Sequence, residues 1–169
     1  MSEPQPPIWD FVLGYYRQQG VSEGAITLQD QLGLDVNMVL FLMWLSGSKR
    51  VLAQADIKTV IDTSKDWQHQ VVVPIRAVRR LLKENAPLVE QEAALAYRKK
   101  IQALEIEGEQ LQLTAMGALS QGMTTTTAAS GEDAARQNLA GLSAAYGKPF
   151  PQAAVDGFAN ALKSQINEK

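Results

Sequence analysis

Apolar residues recur three and four positions apart along most of the chain, which is the spacing of one face of an α-helix. Ile8, Phe11 and Tyr15 begin this pattern and Gly20 supplies a stop after them. A second apolar face follows, for which Ser22 is a suitable N-cap and Gly33 a suitable end. The first third of the chain therefore predicts two amphipathic helices before residue 34.

The next segment, Met38–Leu45, consists of eight consecutive apolar residues. Asp35 precedes it and can cap a helix by accepting from the free amides of the first turn. A helix that is apolar on every side is buried on every side. The segment therefore predicts the central helix of the core, ended by the break at Ser46–Ser48.

A fourth helix is expected over residues 49–63. A further stripe then has spacings of four, four, three and four and predicts a fifth helix; it comprises Trp67, Val71, Ile75, Val78 and Leu82. Pro74 lies inside it, and proline removes an amide donor from a helix, so a kink is expected there. The alternative is a short strand at Val71–Val73, because β-branched residues favour strands. No partner strand is visible in the sequence, so the helix is preferred.

Asn85–Pro87 breaks the chain again, and a long helix is expected over residues 88–119. Its apolar and small residues alternate at three and four and resemble a heptad seam; they are Ala94, Tyr97, Ile101, Leu104, Gly108, Leu111, Ala115 and Ala118. The seam can pack on its own domain or on a second chain, which makes a homodimer through residues 88–119 one of the alternatives.

The composition changes at residue 121, where small polar residues predict a linker over 121–130. Two alanine-rich, thinly apolar helices are expected in 131–169, either docked on the main body or folded only with a partner. The predicted fold is all-α: a helical domain over 7–120 with about five to six helices around the buried central one, and a C-terminal helical tail.

The composition excludes several classes of protein. The chain has 169 residues, 46% of them hydrophobic, a net charge of −2, one histidine and no cysteine. The absence of cysteine rules out a disulfide framework and a thiolate metal site. No apolar run approaches the ~18 to 20 residues of a membrane span, and the first residues lack the features of a secretory signal. We therefore expect no membrane association and a cytoplasmic location.

Positive charge is concentrated in one third of the sequence. Residues 65–101 carry 8 basic and 4 acidic side chains, whereas the segments on either side are each net negative. A candidate binding surface is formed by Arg76, Arg79, Arg80, Lys83, Arg98, Lys99 and Lys100. It can bind nucleic acid, ribosomal RNA or an acidic protein, or it is the solvated face of an amphipathic helix. The solvated face is preferred because the whole chain is acidic.

A second candidate site is polar and lies around the start of the central helix. It comprises Gln29, Asp30, Asp35 and Asn37. Their oxygens can converge on a ligand, or Asp35 and Asn37 can serve the helix start. Aromatic residues cluster in the first 45 positions and can either line a pocket beside these groups or form the core.

The sequence offers no recognisable catalytic apparatus. Asp66 and His69 are spaced for a carboxylate–imidazole pair, but no nucleophile accompanies them, and an exposed histidine is the simpler interpretation. Asp10, Glu105, Glu107 and Glu109 are interpreted as a solvated face. Neither phosphate-binding glycine motifs nor metal-ligand spacings occur. We therefore assign no catalytic residue, cofactor or metal.

Several strings resemble one family of small, all-helical, cytoplasmic bacterial proteins of unknown function. The resemblance covers about residues 7–115, and Asp35–Asn37 before the apolar helix is its most specific part. The matching strings are Trp9–Phe11, Leu28–Asp30, Gly33–Asn37, Leu40–Phe41, Trp44–Leu45 and Pro74–Lys83. It implies a helical domain but no activity.

Three hypotheses about function remain at this point. The preferred one is a non-enzymatic helical interaction protein with an unknown protein partner, bound through the basic face or the tail. The second is an RNA- or ribosome-associated factor that uses the same basic face. The third is an enzyme or ligand-binding protein with a pocket near Asp30, Asp35 and Asn37, which a cavity with converging polar groups would favour.

Overall fold

The computed structural model describes residues 5–84 and 88–167, and this part of the chain is almost entirely helical. Its α-helices are α1 (Ile8–Tyr15), α2 (Val21–Leu32), α3 (Val36–Gly47), α4 (Gln54–Trp67), α5 (Val73–Glu84), α6 (Gln91–Leu119), α7 (Gly131–Tyr146) and α8 (Gln152–Asn167). Two short strands, β1 (Arg50–Leu52) and β2 (Thr125–Thr127), form a small sheet. The predicted all-α class is confirmed.

Helix α3 lies at the centre of the core, in contact with α1, α2, α6, α7 and α8. Its predicted apolar octet is buried except for Trp44, which is partly exposed. The Trp44 indole nitrogen donates to the Pro6 carbonyl at 2.8 Å, and the Gln5 side-chain amide donates to the Trp44 carbonyl at 2.9 Å. The segment preceding α1 therefore crosses the end of α3 and holds the indole at the surface.

The ends of α2 are set by glycines in the left-handed region. Gly33 ends the helix with φ of 67°, as predicted. The prediction for Ser22 was wrong: the helix begins at Val21 after Gly20, whose φ is 86°, and Ser22 lies inside the first turn. Glycine adopts this conformation without the steric cost other residues incur, so Gly20 fixes the helix start without a side-chain cap.

The small sheet was not predicted. Lys49, with φ of 59°, turns the chain after α3, and Arg50–Leu52 pairs antiparallel with Thr125–Thr127. The helix predicted from residue 49 therefore begins only at Gln54. The low-complexity segment 121–130, predicted as a linker, supplies the second strand.

Helices α4 and α5 are joined by a π-helical segment, Gln68–Val72, in which the Val73 amide donates to the Gln68 carbonyl. The helix predicted through Pro74 is confirmed, and the alternative strand at Val71–Val73 was wrong. The wider π turn immediately before Pro74 is where the regular hydrogen-bond pattern changes, consistent with proline's missing amide. The predicted break at 85–87 lies outside the described residues.

The two C-terminal helices contribute to the same core as α3. Leu139, Leu142 and Phe158 are fully buried within it. The Tyr15 hydroxyl in α1 donates to the Phe158 carbonyl in α8 at 2.7 Å. Helices α7 and α8 therefore pack extensively on the rest of the described chain. That this region folds only with a partner stays a prediction.

Within the described part of the chain, no helix combines the length and apolar character that crossing a membrane requires.

Candidate functional site

Members of the candidate basic surface and of the candidate polar site meet where α2, α3, α5 and α6 come together. Gln29 lies in the last turns of α2, Asp35 begins α3, and Arg76 projects from α5. The tight end of α2 at Gly33 returns the chain to α3 within a few residues, which brings Gln29 and Asp35 to the same end of the core.

Arg76 is the hub of this cluster. Its Nε donates to Glu105 Oε1 at 2.7 Å, its Nη2 to Glu109 Oε1 at 2.6 Å, and its Nη1 to Gln29 Oε1 at 3.1 Å. Glu105 and Glu109 are four residues apart in α6, so both carboxylates point from the same face of the helix. One guanidinium therefore ties α5 to both α6 and α2.

Arg79, one turn further along α5, hydrogen-bonds through Nε to the second oxygen of Glu105. The Glu105 side chain is only 7% exposed. Burial raises the pKa of Glu105, but the hydrogen bonds from Arg79 and Arg76 outweigh it and hold that pKa below its ordinary value. The two carboxylates in turn raise the pKa of Arg76 despite its own desolvation. The charges of Arg76 and Arg79 are therefore largely compensated within the protein.

Asp35 is the N-cap of α3, as predicted: its Oδ1 accepts from the Asn37 amide at 3.0 Å. Its Oδ2 accepts from the Gln112 side-chain amide at 2.6 Å, and Gln112 accepts from the Asn37 side chain at 2.9 Å. Burial raises the pKa of Asp35 against the opposing effect of these hydrogen bonds. Burial also raises the pKa of Glu109, against the influence of Arg76.

Two clefts open on either side of Arg76. The first has a volume of about 530 Å³ and lies between α1, α2, α5 and α6; the second, of about 490 Å³, lies between α2, α4 and α5. They share four polar residues, which are Gln29, Asp35, Arg76 and Arg80. Asn37 lines the first cleft and Asp30 the second, so all four members of the predicted polar site border one cleft or both.

The walls of the first cleft combine apolar and basic side chains. Its exposed apolar members include Leu13, Ile26 and Ile106. Four arginines and three carboxylates also line it, although the whole chain is net negative. Arg17 and Arg80 form no ion pair with any side chain that the structure describes. The local surplus of positive charge therefore resides on these two residues.

The other four members of the predicted basic surface are not part of the clefts. Lys83, Lys99 and Lys100 are exposed and line neither cleft, and Arg98 lies partly buried on α6. The seven basic positions predicted as one surface are thus divided: Arg76 and Arg79 are compensated by carboxylates, Arg80 is a cleft residue without an ion pair among the described side chains, Arg98 is partly buried, and the three lysines are exposed.

His69 borders the second cleft and is exposed, and no hydrogen bond joins it to Asp66 among the described residues. Among those same residues, no group of three or more histidine, aspartate or glutamate side chains is placed to hold a metal ion.

Sequence reasoning missed the α6 side of the site. Glu105 and Glu109 were interpreted as a solvated face, but both form ion pairs, and Gln112 was not singled out. The available signal was the spacing of four and three between Glu105, Glu109 and Gln112, which places these residues on one face of α6. Arg76 and Arg79 are three residues apart, so they also share one face of their helix. Of the aromatic cluster, Trp9 and Tyr16 line the first cleft, whereas Tyr15 and Phe41 are core residues.

The comparisons with known proteins give one result. A family described as "Protein of unknown function (DUF2390)" matches residues 7–116, close to the range expected from the sequence. No curated protein and no solved structure matches the chain. The family match spans α1 to nearly the end of α6 and includes every residue of the Arg76 cluster. Since it covers more than half of the sequence, the chain belongs to this family of proteins of unknown function.

Proposed function

We propose that the protein binds a small amphiphilic anion, a phosphate or carboxylate carrying a short apolar chain, in the clefts beside Arg80. The observation that carries the proposal is the position of Arg80. It lines both clefts, and its guanidinium has no ion-pair partner among the described side chains. Guanidinium groups bind carboxylates and phosphates through paired hydrogen bonds.

The neighbouring arginines explain why Arg80 remains available. Arg76 and Arg79 are held by Glu105 and Glu109, so they shape the floor of the cleft rather than supply free charge. Arg17 lines the first cleft from the α1 side. An anion bound there is therefore attracted by Arg80 and Arg17 and positioned by the fixed cluster below them.

The apolar part of the ligand is assigned to the rim. Leu13, Ile26 and Ile106 are exposed around the first cleft and belong to three different helices. An alkyl or aromatic group that covers them removes apolar surface from water. A cleft with apolar walls and a few polar groups is also the usual form of a small-molecule site.

This arrangement favours a small ligand over nucleic acid. Two arginines of the basic face are compensated internally, and the exposed lysines Lys83, Lys99 and Lys100 lie outside the clefts. An RNA- or ribosome-associated role would depend on these scattered lysines together with Arg80 and Arg98, which do not form one compact basic patch with Arg76 and Arg79. A role in binding another protein, a cytoplasmic location and a bacterial source stay predictions.

The test is titration calorimetry of the full chain with octyl phosphate and, separately, octanoate, which distinguishes the two anionic groups. At least one should bind with a 1:1 stoichiometry, and Arg80→Glu should weaken that binding by about tenfold or more. Lys83→Glu is the matched control, since Lys83 lies one turn away in α5 and outside the clefts, and it should bind like the wild type. Octylamine should not bind.

Absence of binding by both anions would overturn the proposal. Equal losses in Arg80→Glu and Lys83→Glu would also overturn it, because they would show attraction to general charge rather than to the cleft.

A further inference from the structure

Helix α6 carries a line of exposed apolar residues that the rest of the described chain leaves uncovered. Tyr97, Leu104 and Leu111 are 55%, 52% and 54% exposed. They are spaced seven residues apart, so they follow one side of the helix with the drift of a heptad repeat. We call these three residues the α6 stripe.

The stripe is one half of the heptad seam recognised in the sequence. The other half packs internally over most of its length: Ala94 and Gly108 are buried and Ile101 is half-buried, and only Ala115 at its end is exposed. A methyl group at Gly108 would lie 3.7 Å from Val72, which shows how closely this side approaches the π-helical segment. The seam therefore splits, with one row serving the core and the other facing outward.

An apolar groove adjoins the stripe at Leu111. It lies between α4 and α6, has a volume of about 640 Å³ and is lined on the α4 side by Val60 and Trp67. The Trp67 indole donates to the Gly108 carbonyl at 3.0 Å, which fixes the wall of the groove. Leu111 belongs to both the groove and the stripe, so the groove extends the stripe at its C-terminal end.

We propose that this surface is the interface of an antiparallel homodimer, in which α6 packs against α6 of a second copy. Equal spacing makes the stripe self-complementary. A two-fold axis at Leu104 places Leu104 against Leu104 of the partner subunit, and Tyr97 against the partner's Leu111. The partner's Tyr97 then lies beside Leu111, at the mouth of the α4–α6 groove.

The charges beside the stripe match the same arrangement. Lys100 and Glu107 are exposed, and neither forms an ion pair with a described side chain. They are seven residues apart, so they lie on the same side of the helix. With the two-fold axis at Leu104, Lys100 and the partner's Glu107 lie at nearly the same height along the helix axis, about 1.5 Å apart in that direction. The pair forms twice, which favours a second copy over an unrelated helix.

The first test is the solution mass of the full chain across a concentration series, by light scattering or sedimentation. The expected mass is twice the 18.5 kDa of one chain. Leu104→Glu places two carboxylates at the two-fold axis and should give the monomer mass. Leu95→Glu is the matched control: Leu95 is also exposed on α6 but lies away from the stripe, so this variant should remain dimeric. Circular dichroism checks that both variants are folded.

Charge reversal tests the antiparallel geometry. Lys100→Glu and Glu107→Lys should each raise the dimer dissociation constant by about five- to tenfold, because each replaces two attractive pairs with repulsive ones. The double variant restores opposite charges and should recover affinity near that of the wild type. A wild-type mass of 18.5 kDa at every concentration would overturn the proposal, and so would a double variant weaker than either single one. A chain that stays monomeric and captures a different protein through the stripe would overturn the proposal as well.

Discussion

The Asp35 carboxylate and the Gln112 side-chain amide are joined by a hydrogen bond of 2.6 Å, although the two residues are 77 positions apart in sequence. Asp35 begins the central helix α3, and Gln112 lies on the buried face of α6. The same carboxylate caps α3 through the Asn37 amide. One side chain thus starts the core helix and fixes α6 beside it, which places Glu105 and Glu109 where Arg76 can reach them.

Asp35→Ala should destabilise the protein by about 1 to 2 kcal/mol at neutral pH, because it removes the cap of α3 and leaves the Gln112 amide without its acceptor. Urea denaturation measures this change in the free energy of unfolding. Asp30→Ala is the control, since Asp30 is exposed and has no described hydrogen bond, and it should change stability by less than about 0.5 kcal/mol. Equal effects of the two substitutions would show that Asp35 has no structural role beyond its charge.

The effect of Glu105→Gln on the free energy of unfolding should depend on pH. The folded-state pKa of Glu105 is held below its ordinary value of 4.5, so its charge contributes stability that is fully present above that pH. This contribution is lost as the pH falls below 4.5 and through the folded-state pKa. The substitution should therefore cost about 2 kcal/mol at pH 7 and progressively less in acid. Urea unfolding titrations at pH 7 and at a pH below 4.5 measure the two costs. Asp66→Asn is the control, because Asp66 is exposed. A cost that does not shrink in acid would contradict the assigned ion pairs.

Asn138 is a buried connection that the sequence did not reveal. Its side-chain amide donates to Ser46 Oγ in α3 and to the Arg50 carbonyl, each at 2.9 Å, and its Oδ1 accepts from the Leu52 amide at 3.0 Å. Asn138→Ala leaves these groups unpaired in the core and should destabilise the protein by about 2 to 4 kcal/mol. Thermal or urea unfolding measures the loss. A decrease below about 1 kcal/mol would show that water replaces the side chain.

Deletion of residues 131–169 should unfold the remaining chain. Tyr15 would lose its buried acceptor on Phe158, and the face of α3 that packs against α7 would be exposed to water. We expect the 1–130 fragment to lack a cooperative thermal transition and to expose apolar surface to a fluorescent dye. A fragment that melts cooperatively near the temperature of the full chain would instead support an independent domain over 7–120.

Sequence patterns were sufficient to predict the structural features that depend only on neighbouring residues. Asp35 as N-cap, Gly33 as helix end and the buried octet were predicted because capping chemistry and an all-apolar helix depend on adjacent residues. The sheet was missed because β1 and β2 are three residues each and pair across more than 70 positions. Neither strand is long enough to show an alternating pattern.

The site was predicted in part for the same reason. Gln29 and Asp35 were singled out as one polar site, and Arg76 as part of a separate basic surface. Their convergence depends on how α5 packs against α6, which no local pattern specifies. The partners Glu105 and Glu109 were assigned to solvent because a charged residue on a helix has no visible partner until the neighbouring helix is placed.

The most direct measurement is a nuclear magnetic resonance titration of the isotope-labelled full chain with octyl phosphate, following the backbone amides and the arginine Nε–H groups. Binding in the clefts predicts that the largest shifts fall on Arg80, Gln29 and Ile106. Shifts confined to Leu104 and Leu111 on the α6 stripe, or spread evenly over exposed lysines, would contradict the assignment of the anion to the clefts.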